Sequence, residues 1–220
     1  MRRLFAGLLI LYAFELGARN IAGLGIDDAL WWFPARADTF HVWQPVTRYF
    51  VQGNDVVGVL LSCLVLYFFG PFIEGRFTGR QLAEIGGAVV LGGTGLAGLL
   101  DAFGILAGPT MGWDSAVSTL IVLFGLASPG ATIRLFFVLP IPASTLAWGT
   151  GVVAGLFLLA SPTLATAEYM GVWIGTIAWW FYRGPGAKRR AAARAGRKVE
   201  RDLQRFQVLP GGRGDDDLVH

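Results

Sequence analysis

Val56-Val57-Gly58-Val59-Leu60-Leu61-Ser62-Cys63-Leu64-Val65-Leu66-Tyr67-Phe68-Phe69-Gly70-Pro71-Phe72-Ile73 runs without one charged side chain. A helix needs about 20 mostly apolar residues to cross the hydrocarbon core of a bilayer. It also satisfies its backbone N–H and C=O groups internally, as a segment without access to water must. The stretch therefore reads as a transmembrane helix. Ile85 to Leu100, Ser115 to Ile133 and Leu135 to Ala167 are also free of charge and read the same way. Two weaker segments flank them: Leu4 to Leu24, interrupted by Glu15 and Arg19, and the short Trp- and Gly-rich Tyr169 to Tyr182. Pro140 and Pro142 near the start of the longest run, and Pro162 near its end, leave room there for one span. The expected fold is an all-α membrane protein, a bundle of six transmembrane helices at about 4–24, 56–73, 85–106, 115–130, 135–160 and 168–183.

Composition agrees with this reading. The chain is 54% hydrophobic and only 15% charged, with a mean hydropathy of +0.56, whereas a soluble domain is about one-quarter charged. Met1-Arg2-Arg3 before an apolar stretch has the look of a secretory signal, but no Ala-x-Ala-like site precedes a polar start, so an uncleaved first helix is expected. Residues 1–183 form one membrane domain in this reading, and residues 184–220 a basic cytoplasmic tail that is disordered toward its end.

Positive charge sets the orientation. Arg2 and Arg3, Arg76 and Arg80, Arg134 and the cluster after the last helix fall at alternate ends of the six segments. By the positive-inside rule both termini are cytoplasmic, as in a multi-pass protein of a bacterial inner membrane. The far-side segment 25–54 carries Trp31, Trp32, Phe33, Phe40, Trp43, Tyr49 and Phe50, amphipathic aromatics that settle at a bilayer interface. Lys188, Arg189, Arg190 and Arg194 in the tail suit anionic lipid better than nucleic acid, because a juxtamembrane basic cluster is commonly a lipid contact.

Few residues could carry chemistry. Ionisable groups in or beside membrane helices are costly and so are functional candidates; here they are Glu15, Arg19, Asp101, Asp114 and Glu168. Glu15 and Arg19 are four apart, acid first, the arrangement of an internal pair. Asp101, Asp114 and Glu168 fall at expected helix ends, where water is close. His41 lies in the aromatic segment and His220 is the last residue, so neither enters a helix core. A lone Cys63 allows no disulfide framework or multi-cysteine metal site within the chain, and no cofactor is expected. Glycines concentrated in 86–98 and at Gly171-x-x-x-Gly175 have the spacing that lets helix backbones approach closely.

The order of these features, over roughly residues 5–183, resembles the rhomboid family of intramembrane serine proteases. Trp43-Gln44-Pro45-Val46-Thr47-Arg48-Tyr49-Phe50 resembles the approach to the family's second helix. Phe68-Phe69-Gly70-Pro71-Phe72-Ile73-Glu74-Gly75-Arg76-Phe77-Thr78-Gly79 is similar to its exit and is the most specific signal. Gly112-Trp113-Asp114-Ser115-Ala116 stands where the family has Gly-x-Ser-Gly, and Ser128-Pro129, Arg134 and Phe137 to Pro142 follow in the expected order. Tyr169-Met170-Gly171-Val172-Trp173-Ile174-Gly175 resembles the start of the last helix, where the family reads His-x-Gly-Gly.

The resemblance implies Ser115 at the nucleophile position, Tyr169 at that of the catalytic histidine, and Ser62 and Gly58 at those of the helix 2 Asn and His that line the oxyanion site. A serine hydroxyl needs an adjacent base. A tyrosine of ordinary pKa about 10 stays protonated at neutral pH and cannot serve. Losing oxyanion donors costs a few kcal/mol each. The implied function is therefore a pseudoprotease that binds transmembrane segments of client proteins without cleaving them. The alternatives are an active serine-type intramembrane endopeptidase using Asp114 or Glu168 as base, and a small six-helix transporter with Glu15, Arg19 and Asp101 along a polar pathway.

Overall fold

The computed structural model describes residues 2–20, 30, 43–52, 55–106, 108, 110, 112–135 and 139–206. Trp31, Trp32, Phe33, Phe40, His41, His220, the Gly211 to Asp217 stretch and the side chain of Arg19 lie outside the described residues. The chain is mostly helical: α1 (Arg2–Asn20), a short α2 (Gln44–Thr47) continued by a 3-10 turn at Arg48–Phe50, α3 (Val56–Arg76), α4 (Gly79–Ala102) and α5 (Asp114–Ala127). An antiparallel pair, β1 (Thr132–Leu135) and β2 (Leu139–Pro142), precedes α6 (Ala143–Ala160), α7 (Leu164–Tyr182) and α8 (Pro185–Phe206).

Three of these helices, α3, α4 and α6, are long and apolar enough to cross a membrane, while Leu9–Ala18 and Asp114–Ala127 are shorter apolar helices. What they present outward is apolar. Val56, Val57, Leu60, Leu61, Leu64, Tyr67 and Phe68 are exposed along α3, and Val152, Val153, Leu156 and Phe157 along α6, while Ser62, Ser115, Thr119 and Thr176 are buried. The α2 segment shows the same inversion, with Trp43, Val46 and Phe50 outside and Gln44 and Arg48 inside. Soluble monomers rarely expose apolar patches of more than a few hundred Å².

Local chemistry explains the element ends. Asp55 caps α3 by accepting from the Gly58 N–H at 2.8 Å. Thr78 and Gln81 form a capping box that starts α4, six residues before the expected start at 85. The charge of Glu84 made the sequence look interrupted, but Glu84 sits on the helix surface, paired one turn away with Arg80 at 3.2 Å. Thr163 and Thr166 cap α7 in the same way. The helix expected from 135 begins at Ala143 instead. Proline lacks the N–H that a helix interior needs, and Pro140 and Pro142 lie in β2, opposite Arg134 and Thr132. A bond from the Ala143 N–H to Ala131 O, 2.8 Å, closes this hairpin.

Glycine decides how the helices pack. α4 and α7 meet along Gly92, Gly93, Gly171 and Gly175: a Cβ added at Gly171 would strike the Gly92 carbonyl, and one at Gly92 would lie 2.9 Å from Gly175 Cα. Gly125 on α5 is pressed in the same way against the Ala143 backbone of α6, and Gly151 against the Trp173 ring. Trp173 Nε1 donates to Ala147 O at 2.9 Å, and the Thr119 and Thr176 hydroxyls join α5 to α7 at 3.3 Å. Apolar clusters lie around these contacts, and the two larger ones draw on α1, α3, α4, α5 and α7. One joins Ile73, Phe77, Val89, Leu123, Val172 and Trp179, the other Tyr12, Val59, Cys63, Leu66, Trp113 and Val117.

Candidate functional site

The start of α5 places Ser115 in the first helical turn, where backbone N–H groups lack intrahelical partners and an acidic side chain such as Asp114 is favoured. The chain reaches that turn through Gly112, whose φ of +99° suits glycine. Two bonds tie this approach to the segment after α2: Gly112 N–H donates to Arg48 O at 2.9 Å, and Trp113 N–H donates to Gln52 Oε1 at 3.0 Å.

Gln52 is the node of a first polar group. Its side-chain amide donates to Asp114 Oδ2 at 2.7 Å, and its backbone N–H donates to Glu15 Oε2 at 2.9 Å. The other Asp114 oxygen takes the Ser62 hydroxyl. Ser62 therefore points at the neighbour of Ser115. Gly58 lies a turn earlier on α3, where a Cβ would meet the Asp55 carboxylate.

A second group surrounds Ser115 itself. Its hydroxyl donates to Glu168 Oε1 at 2.6 Å. The other Glu168 oxygen takes the Thr110 hydroxyl and faces Arg48 Nη1 at 3.0 Å. Arg48 also donates to Tyr49 Oη at 3.0 Å and to Thr94 Oγ1 at 3.2 Å. Burial first, then the Glu168 carboxylate, push the Tyr49 phenol well above its ordinary pKa, so it stays neutral. Arg48 is 0% and Glu168 2% exposed, and Ser115 is 3% exposed.

The expectation that Asp114 and Glu168 are solvated groups at helix ends is corrected here. Glu168 lies one turn inside α7, buried, and Asp114 is bonded to two side chains of the interior. Asp101, at the end of α4, is half-buried. Ser115 meets the Glu168 carboxylate and not the phenol of Tyr169; the Tyr169 side chain lines an apolar cavity of about 620 Å³ with Ser118, Ile141, Leu146, Val153 and Phe157, between α5, α6 and α7. Among the described residues no three His, Cys, Asp or Glu side chains cluster to hold a metal ion.

Sequence reasoning passed over Arg48, Gln52 and Thr110. Arg48 did leave a signal, as the one cation in an otherwise apolar and polar-neutral stretch from Val42 to Gln52. A buried cation requires an anion or several acceptors. Gln52 and Thr110 left none.

No family model, no curated protein and no solved structure matches this chain.

A Ser–Glu contact of this length has the form of a nucleophile and base, but the surroundings oppose that use. If Glu168 took the Ser115 proton it would become a neutral acid beside Arg48. That would break a buried ion pair, and breaking such a pair costs about 3–5 kcal/mol. Ser115 is also 3% exposed among the described residues.

Proposed function

We propose that this chain is a rhomboid-like membrane pseudoprotease, a six-helix protein with both termini cytoplasmic that binds transmembrane segments of client proteins without cutting them. The observation that carries this reading is the state of Ser115: its hydroxyl is committed to a carboxylate already shared with Arg48 and Thr110. This arrangement pairs the Arg48 charge and covers the serine, so that use of Glu168 as a base would break the ion pair. The apolar cavity beside Tyr169 supports the client-binding half, since its wall of Ile141, Leu146, Val153 and Phe157 suits apolar side chains and Val153 and Phe157 are exposed. The apolar exterior of α3 and α6 supports the membrane setting.

The test uses purified full-length protein in bilayer nanodiscs. A serine-directed fluorophosphonate is expected to leave Ser115 unlabelled, and transmembrane peptides are expected to remain intact. A photo-crosslinker at Val153, which is 50% exposed, is expected to capture such a peptide. Cleavage that disappears in Ser115→Ala would sink the reading. The 2.6 Å contact between Ser115 and Glu168 favours one second reading, an active endopeptidase with Glu168 as base. It predicts cleavage lost in both Ser115→Ala and Glu168→Gln and kept in Tyr169→Phe.

A further inference from the structure

α8 is tied to the end of α7 in its first turns and is then uncovered. The Arg183 and Gly184 N–H groups both donate to Trp179 O. A Cβ at Gly186 would lie 2.6 Å from Trp180 Cδ1, so the first turn is seated on that ring. The Arg190 guanidinium lies 4.8 Å from the centroid of the Phe181 ring and donates to Phe181 O. From Lys188 to Arg201 every side chain is exposed.

The pattern along the helix has two faces. At 100° per residue, Ala192, Ala195, Val199 and Leu203 share one stripe, and Arg190, Arg194, Arg197 and Arg201 share the stripe opposite. The helix holds eight Lys and Arg (188, 189, 190, 194, 197, 198, 201, 205) against two acids, Glu200 and Asp202, a net charge of 8 − 2 = +6. Val199 and Leu203 are 57% and 59% exposed.

We infer that α8 is an in-plane membrane anchor, with Val199 and Leu203 entering the acyl boundary of an anionic leaflet and its arginines among the lipid phosphates. Charge and continuity select this occupant. The helix follows α7 after two residues, and the apolar Ile174 and Tyr182 of α7 are exposed, as are the apolar faces of α3 and α6. A nucleic acid would use the basic stripe and leave Val199 and Leu203 in water. An anionic bilayer surface uses both faces, because long basic side chains extend to the headgroups while an apolar stripe lies a few Å deeper. The inference rests on the membrane setting of the bundle but not on pseudoprotease activity.

The test places a fluorophore at Val199→Cys, Leu203→Cys, Arg194→Cys or Arg197→Cys, each in a Cys63→Ala background of the full chain in nanodiscs carrying spin-labelled lipid. With about 30% phosphatidylglycerol, quenching is expected to be several-fold stronger at 199 and 203 than at 194 and 197. The difference is expected to shrink in pure phosphatidylcholine and at about 0.5 M salt. A chain that enters the discs yet quenches equally at all four positions overturns this inference alone. So does protection of 194 and 197 by single-stranded RNA with 199 and 203 unquenched. A chain that does not enter the discs overturns the membrane setting as well.

Discussion

Glu168→Leu is expected to destabilise the protein by about 3–5 kcal/mol, read as an earlier unfolding transition in detergent by thermal or denaturant titration. The carboxylate is shared by three buried groups from three parts of the chain: Arg48 after α2, Thr110 in the connection before α5, and Ser115 in the first turn of α5. Removing it strips the counter-charge that faces Arg48 and the acceptor of two hydroxyls. Each hydroxyl left unsatisfied in a buried site costs about 1–3 kcal/mol if it finds no new partner. Glu168→Gln keeps an acceptor oxygen and should lose less. Ser115→Ala removes only one donor, and its loss should be about 1 kcal/mol.

A double-mutant cycle separates the ion pair from the rest. Arg48→Met combined with Glu168→Leu replaces the pair by apolar groups. The double variant should then be more stable than the sum of the single losses predicts, by roughly 0.5–3 kcal/mol. Exchanging a buried pair for packed apolar residues is often neutral or better, whereas breaking it is not. Additive losses in the cycle would mean that Arg48 and Glu168 do not depend on one another.

The second large effect is steric. Gly171→Ala is expected to cost about 1–3 kcal/mol, because the new methyl would meet the Gly92 carbonyl and lie 2.9 Å from Gly93 Cα, both backbone atoms of a packed helix. Neither can move without separating α4 from α7. Gly86→Ala on the same α4 helix is the control of opposite sign. Nothing lies within 4 Å of its Cβ position, so the change should be neutral or stabilising by up to about 1 kcal/mol through helix propensity. Equal effects at both sites would contradict the close approach of the two helices. The α4–α7 contact also sets the site, since a Cβ added at Gly93 would lie 2.8 Å from Tyr49 Oη and 3.1 Å from Glu168 Cγ.

The amino-acid sequence by itself determined that the chain is mostly helical, that three of its helices are long and apolar enough to cross a membrane, and which small residues let two helices touch. These properties are local. A charge-free run free of proline, such as Val56 to Gly70, forms a helix whatever its neighbours are, and Gly171-x-x-x-Gly175 presents a flat face wherever the helix packs. It also named Glu168 as an ionisable group beside a membrane helix, and Ser115 through the resemblance to the rhomboid family. Their union depended on tertiary structure. Arg48, Thr110, Ser115 and Glu168 are scattered along the chain, and no periodicity links positions whose meeting depends on how two connections fold back over helix ends. Gln52 shows this most plainly. A glutamine in a connection carries no pattern, yet here it joins Glu15, Trp113 and Asp114. The first residues of the Leu135 to Ala167 run, apolar enough for a helix, went to a hairpin because the prolines cannot supply the N–H groups a helix needs. Tertiary structure likewise decided which carboxylates see water. Asp114 and Glu168 occupy helix beginnings that look solvated in sequence, but packing buried Glu168 against Arg48 and turned the half-buried Asp114 toward Gln52 and Ser62, since a carboxylate leaving water needs a counter-charge or hydrogen bonds.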